Sequence, residues 1–348
     1  MAAPLHIAYD MTFPNRNPAG SGVYANELLD HLKRRDDIAL TTVYAPERGL
    51  PTTMRWLMNG ARDATVDAQL VHCPAFVAPW RLGAPFVLTV HDTSTQRFPE
   101  DHPLEWRAYT RFVLPQRARD AARVLTGTEF TRHEIVRDLG LREEKVMVTP
   151  YGVAERFARP RHKPPNVESP LLLFPGAPTR RKNLELVLKA MTEAPDGGVL
   201  RRVRLEITGA TAEQFPHHRD RIDSLGLAGR VKWLGRVPSD DMPELMAGAD
   251  LLVYPSLYEG FGFPALEAML TRTPVVASNA ACLPEVLGDA AALVDPHDVK
   301  AFIDAAQAVL TNDRLRKDLI NKGRARVARY SWTRCAELTV LAYRQVAR

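Results

Sequence analysis

From Tyr254 to Glu285 the chain reads YPSLYEGFGFPALEAMLTRTPVVASNAACLPE, and two of its carboxylates, Glu259 and Glu267, stand eight positions apart. On one unbroken helix they would lie about 12 Å apart along the axis and on different faces. Gly260, Gly262 and Pro264 between them exclude that helix. A loop followed by a helix fits instead. Pro264 suits the first helical position, where its missing N–H costs nothing, and the helix runs on through Ala265, Leu266, Glu267, Ala268, Met269 and Leu270. Glu259 then belongs to the loop, and Glu267 to the first turn or just beyond it. Free amides at such a helix start, near Ala265 and Leu266, form a natural anion site. An anion cradle between two hydroxyl-binding carboxylates suits the phosphate and sugar of a nucleotide sugar.

At these residues the chain resembles a known family. Glu259, seven residues, then Glu267, with Gly260, Phe261, Gly262 and Phe263 between, looks like the donor-site signature of the retaining glycosyltransferases of family four. The likeness continues through Pro274–Ser278, Leu283–Val286 and Gly288–Ala291. It implies a GT-B fold: α/β, two Rossmann-like doubly wound domains whose parallel sheets face each other across a deep cleft. It also implies that Glu259 binds sugar hydroxyls, that Glu267 holds the ribose hydroxyls, and that Phe261, Gly262, Phe263, Ala265 and Leu266 line the donor.

Length agrees with two domains, since 348 residues are many for one core. Residues 1–150 carry 18 Lys and Arg against 18 Asp and Glu, so the formal excess of +5 lies in the second half. That spread argues against a nucleic-acid surface, which needs a concentrated basic stripe, and is compatible with an anionic small ligand. Cys73, Cys282 and Cys335 have no metal spacing, which points to a reducing compartment. The opening MAAPLHIAYD lacks the apolar core of a signal peptide, and no run approaches a membrane span. The expected location is cytoplasmic, or peripheral at the inner face of the membrane.

Strands are expected at 5–9, 38–44, 69–72, 85–90, 124–126, 145–150, 171–175, 205–209, 231–235 and 250–255. Gly20-Ser21-Gly22 follows the first strand and precedes a helix beginning at Val23. Strand, glycine turn and helix approach phosphate in Rossmann-like units, although the third glycine of a dinucleotide fingerprint is missing. In the resembled family this loop lines the cleft, which brings Gly20 and Gly22 into the candidate set. His91 ends the 85–90 strand, where ligands of parallel sheets bind. A buried histidine satisfied by backbone is the plainer account. The similarity of VLTVHDTSTQRFPEDH to the family's His-Asp segment implies instead that His91 lies near the donor sugar. In the same likeness, Tyr151 departs from the asparagine usual before Gly152.

Residues 101–123 combine Trp106, Tyr109 and Phe112 with five arginines. The aromatics recur at helical spacing, so that face is expected to be core; a basic-aromatic helix can also touch a membrane or an anionic lipid-linked acceptor. The proline-rich stretch 158–170 reads as a linker. Domains are therefore expected at 1–157, with a terminal helix at 331–348 crossing back as the resemblance implies, and at 171–330.

After the 171–175 strand comes Gly176-Ala177-Pro178-Thr179-Arg180-Arg181-Lys182-Asn183. A flexible turn carrying cations to a strand end suits a diphosphate, and the stretch resembles the Arg-Lys-Asn, bacterial-type version of the family's phosphate loop. Arg181 and Lys182 could then stabilise diphosphate departure without a metal. Gly209 ends another strand where backbone approaches a base, and the family holds the base at the Gly235–Val237 turn, so Val237 joins the set. His217 and His218 lack metal spacing and are expected at the surface.

The implied reaction is transfer of a hexose, mannose among the candidates, from a GDP- or UDP-linked donor to a glycan, lipid-linked or small-molecule acceptor. No separate cofactor or metal is called for. His91, Glu259, Arg181 and Lys182 are the expected catalytic residues. Competing accounts are a GT-B epimerase or phosphorylase, and an idle subunit that binds a partner transferase.

Overall fold

Short apolar runs pair into two six-stranded parallel sheets in the computed structural model. It describes residues 3–16, 20–45, 54–158 and 168–347. Two units result, one of residues 1–152 with 330–348 and one of 153–329. Residues 159–167 of the expected linker, and Arg348, lie outside the described residues. Among the described residues no helix is long and apolar enough to cross a membrane.

The first unit's strands are β1 (Leu5–Asp10), β2 (Ile38–Val43), β3 (Leu70–Cys73), β4 (Phe86–Thr89), β5 (Arg123–Thr126) and β6 (Val146–Val148), in the order β2-β1-β3-β4-β5-β6. β3 and β4 are buried throughout, as expected of parallel strands covered on both faces. The buried His72 is paired at both ring nitrogens: Nδ1 lies 2.7 Å from the Tyr343 hydroxyl and Nε2 lies 2.8 Å from Thr89 Oγ1. Tyr343 stands on the terminal helix Trp332–Val346, so that helix is joined to this sheet by a buried hydrogen bond.

Burial pushes the His72 pKa down to about 3 and that of His91 down to about 4. Both values fall below the ordinary 6.5, so the unfolded chain takes up protons first and stability drains away as pH falls from about 6.5 toward 4. The urea midpoint of this unit's transition should drop between pH 7 and pH 5, with a shallower drop in His72→Gln. An identical slope in wild type and variant would contradict the assignment.

The second unit's strands are β7 (Leu171–Phe174), β8 (Arg204–Thr208), β9 (Val231–Gly235), β10 (Leu251–Tyr254), β11 (Val275–Ser278) and β12 (Ala292–Val294), ordered β12-β11-β10-β7-β8-β9. The chain leaves β7 toward one edge and β10 toward the other, so the neighbours β7 and β10 form the topological switch point, where ligands bind beyond the carboxyl ends of the strands. Leu172, Phe174, Leu188, Leu205, Ile207, Val253 and Phe302 fill the core behind it.

Several expectations need correction. The first helix begins at Gly20, not Val23, so Gly20 and Gly22 sit in its opening turn. A short helix, Met242–Ala247, leads into β10. Phe112 is 73% exposed rather than core, because Trp106, Tyr109 and the buried Thr110 take the inner side of this helical run. His218 is half-buried, its Nε2 donating to Pro178 O at 2.8 Å, whereas His217 is exposed.

Candidate active site

Beyond β7 the backbone makes two left-handed steps, at Gly176 (φ 94°) and Asn183 (φ 57°). Gly176 N donates to Thr208 Oγ1 at 2.9 Å, which fastens the start of the loop to β8. Gly209 (φ 80°) must be glycine: a Cβ there would fall 2.8 Å from Ala177 N, so the two loops meet backbone to backbone. At the far end Asn183 Nδ2 donates to Pro255 O at 3.1 Å and Pro296 O at 2.9 Å. Leu257 N donates to Arg181 O at 2.7 Å. The 3₁₀ turn Arg180–Lys182 is thereby fixed against the segment that leaves β10.

That fixing brings three charges together. Lys182 Nζ lies 2.7 Å from Glu259 Oε1, and Arg181 Nη1 lies 3.1 Å from the same oxygen. Arg181 Nη1 also donates to Tyr258 O at 3.1 Å. Lys182 Nζ sits 3.2 Å from the Tyr254 hydroxyl and 4.7 Å from the centre of its ring. Lys182 is 9% exposed and Glu259 8%. Burial by itself would raise the Glu259 pKa, but the Lys182 and then the Arg181 charge outweigh it and hold the carboxyl at about 2. At Lys182 the balance tips the other way: burial leaves its pKa below the ordinary value despite Glu259. The asymmetry has a simple source, since Glu259 faces two cations and Lys182 one anion beside a like charge. With all three ionised the cluster carries a net +1.

Tyr254 links this cluster to the glycine-aromatic loop. A Cβ on Gly262 (φ 90°) would meet Leu283 Cδ2 at 2.9 Å and Tyr254 Cε1 at 3.7 Å, so the glycine is needed for both its conformation and its packing. Gly262 caps the helix Phe263–Leu270, which places Pro264 second rather than first. The Ala265 amide donates to Gly262 O at 3.1 Å and is not open as expected. Phe261, Ala265 and Leu266 are buried, while Phe263 and Glu267 are partly exposed. The rings of Phe261 and Phe263 lie 5.0 Å apart. Val237 is partly buried just past Gly235 (φ 64°), whose carbonyl accepts from Gly209 N at 2.7 Å.

Gly20, Gly22 and His91 belong to the first unit. His91 Nε2 donates to Pro74 O at 3.0 Å, which leaves Nδ1 to accept from the Tyr151 hydroxyl at 2.8 Å. The ring is therefore a neutral, anchored imidazole. Sequence reasoning missed Tyr151 as its anchor and saw only a departure from a pattern. It also missed Tyr254 and the two bonds of Asn183. The signal for Asn183 was its residue type, since asparagine enters the left-handed region more readily than most.

The described geometry places two cations and a carboxylate beyond the carboxyl ends of β7 and β10, at the switch point. Two family profiles cover the chain, "Glycosyltransferase Family 4" over residues 23–157 and "Glycosyl transferases group 1" over 156–326. O-antigen chain mannosyltransferase B of Escherichia coli is 32% identical over 302 residues, covering 84% of this chain and 77% of that one. The chain belongs to the family-four glycosyltransferases. MMP alpha-(1->4)-mannosyltransferase of Mycolicibacterium hassiacum is 31% identical over 276 residues, 76% of this chain and 66% of that one. Among solved structures, sucrose-phosphate synthase from Thermosynechococcus elongatus superposes with a TM-score of 0.79 at 19% identity over 98% of both chains. HepE of Anabaena, solved with UDP and glucose, gives 0.75 at 16% over 98% of this chain and 100% of that one. This glycosyltransferase therefore has the GT-B fold, and its cationic turn sits at the switch point of the second unit's doubly wound sheet.

Proposed function

We propose that this glycosyltransferase moves a hexose, mannose first among the candidates, from a GDP- or UDP-linked donor to a glycan, lipid-linked or small-molecule acceptor with retention of anomeric configuration. The Arg181–Lys182–Glu259 cluster at the switch point carries the reading. Negative charge grows on the diphosphate as the sugar–oxygen bond breaks, and preorganised cations stabilise that charge more than the ground state. Two cations held by one carboxylate retain a net +1 for the phosphate and need no rearrangement of the backbone. Glu259, ionised over the whole physiological range, then faces the developing positive centre of the sugar and its hydroxyls. Glu267, on the partly exposed side of its helix, takes the ribose hydroxyls. The cations supply the charge that a divalent metal would otherwise bring, so EDTA should leave the rate unchanged. His91 acts as a neutral hydrogen-bonding group. The mannosyltransferase names of the two sequence relatives support mannose, and the UDP and glucose in HepE keep a UDP-linked donor in view.

The test is release of nucleotide and transfer of sugar from GDP-mannose, UDP-glucose and ADP-glucose, with the product anomer read by NMR. GDP-mannose is expected to turn over fastest and to give the α-product. Glu267→Ala should raise the donor KM about tenfold or more, the loss expected for a charged hydrogen bond. No nucleotide release from any donor, with or without acceptor, would reject the proposal in favour of an idle subunit.

A further inference from the structure

Donor chemistry leaves the helical run 104–120 of the first unit unused. It consists of the helix Leu104–Ala108, a π-helical turn Tyr109–Val113 and the helix Leu114–Asp120. Its inner side is occupied: Trp106 stacks on Phe13 and on Tyr109, each at 5.3 Å, and the Tyr109 hydroxyl donates to Phe76 O at 3.2 Å. Two adjacent rows remain outside. Leu104, Ala108 and Phe112 recur every four residues, and Arg107 and Arg111 form the row beside them. Leu104 is 75% exposed and Phe112 73%.

Arg107 and Arg111 line a hollow of about 220 Å³ with Thr95, Gln96, Pro99 and Thr110, several times the roughly 30 Å³ share of one water. The segment that contributes Thr95, Gln96 and Pro99 is held by bonds of its neighbours Thr93 and Arg97. Arg97 grips Glu134 with Nε at 2.9 Å and Nη2 at 2.6 Å, and Glu134 is 3% exposed. Thr93 Oγ1 donates to Asp138 at 2.7 Å. Arg107 Nε donates to His102 O at 2.8 Å, and among the described residues neither Arg107 nor Arg111 has a carboxylate partner. Like charges four apart on a helix repel, and an anion between them removes that cost. π-Turns such as 109–113 occur frequently at functional sites.

We propose that this hollow holds the phosphate group of an amphiphilic acceptor, with the Leu104–Ala108–Phe112 row lying along its hydrocarbon. Calling the ligand the acceptor rests on the glycosyltransferase reading; the binding chemistry does not. The full chain is titrated by calorimetry with n-octyl phosphate below its micellar concentration, and with n-octyl glucoside and inorganic phosphate for comparison. Octyl phosphate should bind, inorganic phosphate more weakly and octyl glucoside most weakly. Arg111→Ala should weaken octyl phosphate about tenfold or more, the loss of one charge-assisted contact. Phe112→Ser should weaken octyl phosphate and leave inorganic phosphate as it was. Inorganic phosphate binding as tightly as octyl phosphate would overturn the amphiphile, and octyl glucoside doing so would overturn the phosphate. Unchanged octyl phosphate binding in Arg111→Ala would overturn the site. GDP and UDP affinities measured on the same samples report separately on Lys182, so a failed donor reading is distinguishable from a failed acceptor pocket.

Discussion

Lys182→Ala should lower the rate of sugar transfer about 10²- to 10³-fold, the loss typical of removing one preorganised charge from a developing anion. Lys182 Nζ is the cation that sits nearest to both Glu259 and the Tyr254 ring. Arginine is no substitute, because a planar fork does not fit where a point charge lies over a ring. The variant also breaks a buried ion pair, which costs about 3–5 kcal/mol when one partner is left behind. Here Arg181 stays beside Glu259 at 3.1 Å, so the expected cost is at the lower end of that range. A second variant separates the two effects. Lys182→Met with Glu259→Gln removes both charges of the pair and should regain much of the urea midpoint while staying inactive. If the double variant regained activity along with stability, the role of Lys182 would be structural only.

Gly152→Ala should destabilise the first unit by about 3 kcal/mol or more, on the scale of overpacking in a core that cannot yield. A Cβ there would come 2.5 Å from Trp332 Cγ and still nearer its backbone nitrogen. The Trp332 ring is buried, stacks with Tyr151 at 6.3 Å and lies 5.8 Å from Tyr24. Tyr151 in turn anchors His91, so the same variant should loosen the histidine. Its urea midpoint should fall sharply, and hydrogen exchange in the helix Trp332–Val346 should rise with it. An unchanged midpoint would mean that the helix start shifts away at little cost, against the close packing seen between Gly152 and Trp332.

The charged and glycine-rich motifs at the switch point were legible because each stands in one short stretch with its own punctuation. Arg181 and Lys182 follow a strand and a glycine, and Glu259 and Glu267 bracket two glycines and a proline. Local chemistry marks such places before any folding. Most strands were legible too, since buried parallel strands are short apolar runs. β11 was quoted only as part of a likeness and β12 not at all, because three or four apolar residues beside a helix carry no period of their own.

Pairings between distant residues were another matter. Arg181 and Lys182 read as cations awaiting a phosphate; nothing in the order of residues says that Glu259, more than seventy positions on, already shares a single oxygen with both. The contact of Gly152 with Trp332 and the bond of His72 to Tyr343 span still longer separations. The exposure of Phe112 likewise depended on which side of its helical run the fold turned inward.

By itself the sequence determined the architecture and the inventory of charged and glycine-rich turns, because strand period, turn chemistry and helix starts act within a few residues. Only the tertiary structure decided how those charges balance. The order of strands in the sheet sets the β7 and β10 loops side by side, and the burial that follows makes one carboxylate hold two cations.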